Sequence, residues 1–84
     1  MEHVCYVLYS KKYKKIYIGY TSNLIGRFKS HNELGTKGYT IRYRPWIVVH
    51  LEFYNTKPDA ISREKQLKSS RGRAWIYSEV LPKY

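Results

Sequence analysis

Residues 6–19, YVLYSKKYKKIYIG, decide how the rest of the chain is read. Two tyrosine-bearing apolar runs flank a segment with four lysines, Lys11, Lys12, Lys14 and Lys15. Residues 4–9, VCYVLY, are apolar at successive positions, so both faces of that run want burial, which predicts a central strand. Residues 16–20, IYIGY, are β-rich and follow a short polar segment, so the two runs should form a hairpin.

Beyond the hairpin, Thr21 or Ser22 can cap a helix from about residue 23 to 31. Leu24, Ile25, Phe28 and His31 share one face of it at 100° per residue. Gly26 is a poor interior residue for that helix, costing about 1 kcal/mol relative to Ala. Residues 32–43 carry Gly35 and Gly38 and read as a loop. Residues 46–54, WIVVHLEFY, alternate: Ile47, Val49, Leu51 and Phe53 make an apolar face, and His50 and Glu52 fall on the solvent face. Thr56 and Pro58 open a second helix that should run to about residue 69. SSRGR breaks it, and a third short helix is expected over about residues 74–80. The pattern is α+β: three strands, an antiparallel hairpin among them, with two or three helices, in one domain over residues 1–84.

Charge narrows the partners. The 84 residues hold 16 Lys+Arg against 6 Asp+Glu, a formal net charge of +10. That excess on a small domain is the footprint of a nucleic-acid partner. A membrane surface is the competing explanation. No segment is apolar enough to span a bilayer, no basic amphipathic helix stands out, and no leader segment is visible. Cys5 is the only cysteine, so neither an intrachain disulfide nor a thiolate metal site is expected, and a reducing cytoplasmic setting fits.

One acid sits where an acid should not. On the second helix Glu64 lies about 40° from Ala60, with Leu67 close on the other side, while Ser62, Arg63 and Gln66 point away. A core-facing carboxylate is costly unless paired with a cation or a metal. A structural ion pair with Arg27 or Lys68, or a stem reaching out to water, is one explanation. The other is a site. Arg27 and His31, four apart at the edge of the first helix's apolar stripe, favour it, because the three side chains could converge on one cleft.

Val4–Cys5–Tyr6, then Tyr17–Ile18–Gly19 with Tyr17 eleven positions after Tyr6, then Arg27, His31 and a helical Glu64 together resemble the GIY-YIG nuclease superfamily. NELGTKGYT and AISREKQLKSS further resemble its short stand-alone bacterial members, which are related to the nuclease domain at the N-terminus of an excinuclease. Val4 and Cys5 stand where the first triplet has Gly and Ile, and the active-site Asn found late in many members has no match. The resemblance implies a three-stranded antiparallel sheet flanked by helices and divalent-metal-dependent hydrolysis of phosphodiester bonds. Carried over, Tyr6 is the general base or its partner and Tyr17 the second active-site tyrosine. Arg27 steadies the phosphate, Glu64 holds one Mg²⁺ or Mn²⁺ ion, and His31 assists nearby.

The chemistry is consistent with those residue types. Phosphodiester cleavage needs a deprotonated nucleophile, charge neutralisation at phosphorus and help for the leaving oxygen. Of the six acids, Glu2 is terminal, Glu33 lies in a loop, Asp59 suits a cap, Glu52 faces solvent and Glu79 is near the end, so Glu64 alone faces inward. A tyrosine titrates near 10, and a metal ion and nearby cations would lower that value. Tyr6 and Tyr17 share a sheet face only if opposed residue numbers sum to an odd value, and that register is predicted. The remaining cations, Lys11, Lys12, Lys14, Lys15, Lys37, Arg42, Arg44, Lys68, Arg71 and Arg73, would track phosphates. Tyr39, Tyr43 and Trp46 are candidates for stacking on bases, with at least two of them expected to be packing.

The expected function is therefore a metal-dependent endonuclease on DNA in preference to RNA. It should have low sequence specificity or a preference for structure, in repair- or recombination-type processing. A protein partner could supply specificity, and a monomer or weak dimer is expected. The alternative is a non-catalytic nucleic-acid-binding module, motivated by the altered first triplet and the unmatched Asn. An adaptor for an acidic protein rests on size and charge alone.

Overall fold

The computed structural model describes residues 2–34 and 38–84, without the side chains of Glu33 and Leu34; Lys37, expected to track phosphates, lies outside the described residues. The strands are β1 (His3–Ser10), β2 (Lys15–Thr21) and β3 (Ile47–Tyr54). They form one antiparallel sheet in the order β2-β1-β3. The continuous apolar run explains why β1 is central: Cys5, Tyr6, Val7 and Leu8 are at most 1% exposed. Tyr6 opposes Gly19 and Leu8 opposes Tyr17, which is the odd-sum register. Both tyrosines therefore lie on one face.

The two faces of β1 carry separate cores. Cys5 and Val7 pack with Ile16, Ile18 and Val49 beneath Leu67, Ile76 and Val80. Val4, Tyr6 and Leu8 pack with Trp46 under Tyr17, Leu24, Phe28 and Tyr43. The helices that close these layers are α1 (Leu24–Lys29), α2 (Tyr39–Arg42), α3 (Lys57–Lys68) and α4 (Ser70–Trp75). α3 forms where Thr56 and Pro58 predicted it, with Thr56 Oγ1 accepting from the Asp59 amide at 3.3 Å.

Several expectations need correction. The cap of α1 is Asn23, not Thr21 or Ser22: its side chain accepts from the Gly26 amide at 3.1 Å, and Thr21 Oγ1 in turn accepts from the Asn23 amide at 3.0 Å. That cap lies over Gly26, where an added Cβ would come within 2.5 Å of Asn23 Nδ2. Ile25, expected on the core face, is 73% exposed. The helix also ends at Lys29 and widens into a π-helical turn, Ser30–Leu34, which carries His31. Part of the expected loop is helical, as α2. SSRGR restarts the chain as a helix rather than only breaking it. Ser69 Oγ donates to the Gln66 carbonyl at 2.6 Å, closing α3, and accepts from the Gly72 amide at 3.2 Å, opening α4. α4 then passes into a π-helical turn, Ile76–Val80.

The largest departure is in β3. Val7 opposes His50 but Leu8 opposes Val48, so a bulge inserts Val49 as an extra residue. The simple alternation fails because side-chain direction is counted by twos. Val49 joins the core under α3, whereas Val48 and Leu51 pack on the opposite core. Ile47 and Phe53 are exposed. His50 and Glu52, expected in solvent, are half-buried on the α3 side.

Candidate active site

A hollow of about 430 Å³ opens where β1, β2, α1 and α3 meet. Tyr6 from β1, Tyr17 and Gly19 from β2, Arg27 from α1 and Glu64 from α3 line it. Each is delivered by a local rule: the register brings the two tyrosines to one face, and the Asn23 cap sets where α1 starts and hence where Arg27 points. On α3, Glu64 falls between the buried Ala60 and Leu67 and keeps only 15% side-chain exposure.

Tyr6 is 1% exposed and lies across its cross-strand neighbour Gly19. A Cβ at Gly19 would stand 2.6 Å from the phenol oxygen, so glycine is what lets the ring lie there. The Tyr6 hydroxyl meets His31 Nε2 at 2.9 Å. The Tyr17 ring packs on both, with centroids 6.3 Å from Tyr6 and 4.6 Å from His31.

Burial pushes the Tyr6 phenol well above its ordinary range; Tyr17 and Glu64 add to this, and Arg27 pulls the other way without prevailing. Arg27 lowers this tyrosine's pKa, as expected of a nearby cation, but burial penalises phenolate more than Arg27 favours it. His31 is pushed down from 6.5 by burial, then by Arg27 and Arg44, so it is neutral at pH 7. A neutral His31 with Nε2 unprotonated is the tautomer that accepts from the Tyr6 hydroxyl. Cys5, fully buried, has its thiol pushed up to about 11 by burial, then Glu52 and Glu64, and is not a nucleophile at neutral pH.

Glu64 has an ion-pair partner, Lys68, one helical turn on at 3.4 Å, as the structural explanation anticipated. Lys68 is 48% exposed, so the pair is loose, and the carboxylate still borders the hollow. Lys57 and His3 also line the hollow and were missed. Lys57 was legible, since it precedes Glu64 by seven residues and so shares its helix face; nothing in the sequence singles out His3.

The other expected cations divide. Lys11, Lys12, Lys14 and Lys15 are exposed, at and beside the hairpin turn. Lys12 lies over the Tyr13 ring at 5.3 Å and Lys15 over the Tyr43 ring at 5.5 Å. Arg42 and Arg71 are exposed. Arg73 donates to the Lys68 carbonyl at 3.2 Å. Arg44 donates to the carbonyls of His31 at 2.8 Å and Ser30 at 3.2 Å, so it braces the turn that holds His31. Trp46 is buried, with Nε1 donating to the Thr40 carbonyl at 2.7 Å. Tyr43 is half-buried, and Tyr39, 4.8 Å from it, is 44% exposed.

Glu52 also corrects the reading that Glu64 alone faces inward. It accepts from Arg63 Nε at 2.8 Å and Nη2 at 3.1 Å and from the Tyr54 hydroxyl at 2.6 Å, and it contacts His50 Nε2 at 2.6 Å. Burial opposes its ionisation, but the bonds from Arg63, Tyr54 and His50 prevail and hold its carboxyl at about 2. Arg63, expected to point away, is drawn inward by this pair.

Among the described residues no three His, Cys, Asp or Glu side chains group as a metal site, and no helix is long and apolar enough to cross a membrane. One carboxylate facing an open hollow is still a donor set that Mg²⁺ accepts, because that ion keeps several waters and takes one or two carboxylates plus substrate phosphate oxygens.

Residues 2–77 match the family model described as the GIY-YIG catalytic domain. A UPF0213 protein of Staphylococcus haemolyticus is 32% identical over 68 residues, which make up 81% of this chain and 82% of that protein. A UPF0213 protein of Bacillus velezensis is 38% identical over 66 residues, 79% of this chain and 66% of that one. The solution NMR structure of a UPF0213 protein from Bacillus halodurans superposes with a TM-score of 0.56 at 27% identity, covering 93% of this chain and 84% of that one.

Proposed function

This chain belongs to the GIY-YIG catalytic domain family, a nuclease family, and on that basis we propose that it is a divalent-metal-dependent endonuclease hydrolysing phosphodiester bonds in DNA. The observation that carries the proposal is the convergence of two phenols, a guanidinium and a carboxylate, from four elements, on one hollow.

The roles follow from the geometry. The Tyr6 hydroxyl bonds to a neutral His31, which gives the phenol proton somewhere to go. A water attacking phosphorus loses its proton to Tyr6 Oη as Tyr6 passes its own to His31 Nε2, while the opposite P–O ester bond breaks and its oxygen leaves to take a proton from solvent, so no isolated phenolate is needed in a site that penalises it. Tyr17 holds both rings by contact. Arg27, exposed at the mouth, opposes the charge on the non-bridging oxygens. Glu64 would hold Mg²⁺ or Mn²⁺, displacing its loose contact with Lys68. Bound there, such an ion supplies charge neutralisation and Lewis acidity at the phosphate. The lysine turn leads away from Tyr17 along β2, Lys15 being two residues, about 7 Å, further on the same face, and it docks the backbone. These contacts are to phosphates, so sequence preference is low and binding weakens steeply with salt. Repair- or recombination-type processing, with specificity lent by a protein partner, suits such an enzyme.

The test incubates the protein with supercoiled, branched and single-stranded DNA and with RNA, with Mg²⁺, Mn²⁺ or chelator, beside Glu64→Ala. Metal-dependent nicking lost in Glu64→Ala is expected. Inertness on every substrate in every condition, with salt-sensitive binding intact, would make the protein a nucleic-acid-binding module instead.

A further inference from the structure

On the other side of α3 lies a larger hollow, about 700 Å³, lined by Arg63, Lys65, Gln66, Arg71 and Trp75 among others, with no carboxylate among the described residues of its wall. Three features set it apart from ordinary basic surface. First, Trp75 is 37% exposed, a large ring on a site wall rather than in a core. Second, the ring has defined neighbours: Arg63 sits over it at 5.6 Å, His50 meets it edge-on at 5.2 Å, and Glu52 ties Arg63 and His50 together. Third, Lys65 and Arg71 in the same wall are exposed, whereas Arg63 is already committed to Glu52 and Gln66. The concavity is fixed by Gly72, where a Cβ would stand 2.2 Å from the Gln66 carbonyl oxygen, so α4 packs directly on the backbone of α3.

We propose that this hollow is a second nucleic-acid contact, seating an unpaired nucleotide with its base on Trp75 and its phosphate between Lys65 and Arg71. An exposed aromatic ring beside exposed cations matches the two halves of a nucleotide, and stacking accepts any base. A strand engaged at Glu64 rounds α3, about 10–12 Å across, to reach it. The inference rests on the nucleic-acid reading of the first hollow, but its test does not need cleavage.

Trp46 is 1% exposed, so fluorescence that responds to ligand reports Trp75. The whole chain is titrated in chelator with a single-stranded thymidine hexamer, and affinity is read in parallel from a fluorescein-labelled hexamer. Saturable quenching is expected. Trp75→Leu should bind about tenfold weaker, and a hexamer of abasic sites should bind wild type weaker by a similar factor. The Lys65→Ser/Arg71→Ser variant, altered only at exposed side chains, should lose about tenfold and lower the salt slope by about 2. Wild-type affinity in both variants, or equal quenching by polyglutamate of matched charge, overturns the site. Wild type itself separates the two proposals: protein that is inert on every substrate with metal but keeps its Trp75 quenching in chelator removes the nuclease and leaves this contact.

Discussion

Two acids, Glu52 on β3 and Glu64 on α3, have opposite fates. Glu52 is saturated: Arg63 and Tyr54 donate three hydrogen bonds to it, and His50 closes on it at 2.6 Å. Glu64, with 15% side-chain exposure, has one lysine at 3.4 Å and an open hollow in front of it. Burial alone does not separate them. What differs is unspent acceptor capacity, since an ionised carboxylate offers about four lone-pair sites. A carboxylate whose sites are filled by the protein is architecture. One whose sites face a cavity beside a guanidinium and two phenols is open to a ligand.

The sharpest way to break that contrast is to neutralise each acid in turn. Glu64→Gln should lower metal-dependent cleavage by about a hundredfold to a thousandfold, while stability changes by no more than about 0.5 kcal/mol, because only the Lys68 contact is lost. Glu52→Gln should instead cost about 2 kcal/mol in urea denaturation, leaving Arg63 short of its partner. If the two acids exchange these signatures, the contrast fails.

A smaller effect tests the phenol that faces Glu64. In Gly19→Ala the new methyl competes with the Tyr6 hydroxyl for the same space, so the Tyr6–His31 bond must give. Cleavage should fall by about a hundredfold with the DNA dissociation constant nearly unchanged. A variant as active as wild type would mean that the position of the Tyr6 oxygen does not matter.

The smallest effect is in acid. Glu52 has a folded pKa of about 2, below its ordinary 4.5. Its contribution to stability is therefore complete above pH 4.5 and disappears as pH falls toward 2. Urea midpoints measured from pH 6 to 2 should drop across that window in wild type and less so in Glu52→Gln. Parallel curves would show that Glu52 gains nothing from its partners.

Much of this was legible in the residues. VCYVLY could only be a central strand, Thr56 and Pro58 fixed the start of α3, and the 3.6-residue repeat placed Glu64 against the core. The hidden parts have separate causes. A period of two, read through IVVHLEFY, has no means of registering an extra residue, so the bulge at Val49 reversed the assignment of Glu52 and concealed its whole network. The Asn23 cap was obscured because Thr21, Ser22 and Asn23 are all good cap formers, and the His31 turn because a π-helical turn departs from 100° per residue. The Tyr6 environment was misjudged because net charge describes the surface, whereas a sealed phenol responds first to the loss of water.

That bulge also makes β3 a counting device. Its outer residues, Ile47 and Phe53, stand in solvent and tolerate exchange of one side chain for another. Its length does not have that freedom. A further residue inserted between Val49 and Glu52 would shift the pairing by one, and every residue on one side of it would swap layers. Glu52 would leave its donors, or Val48 would leave its core. In this strand spelling is negotiable, and spacing is not.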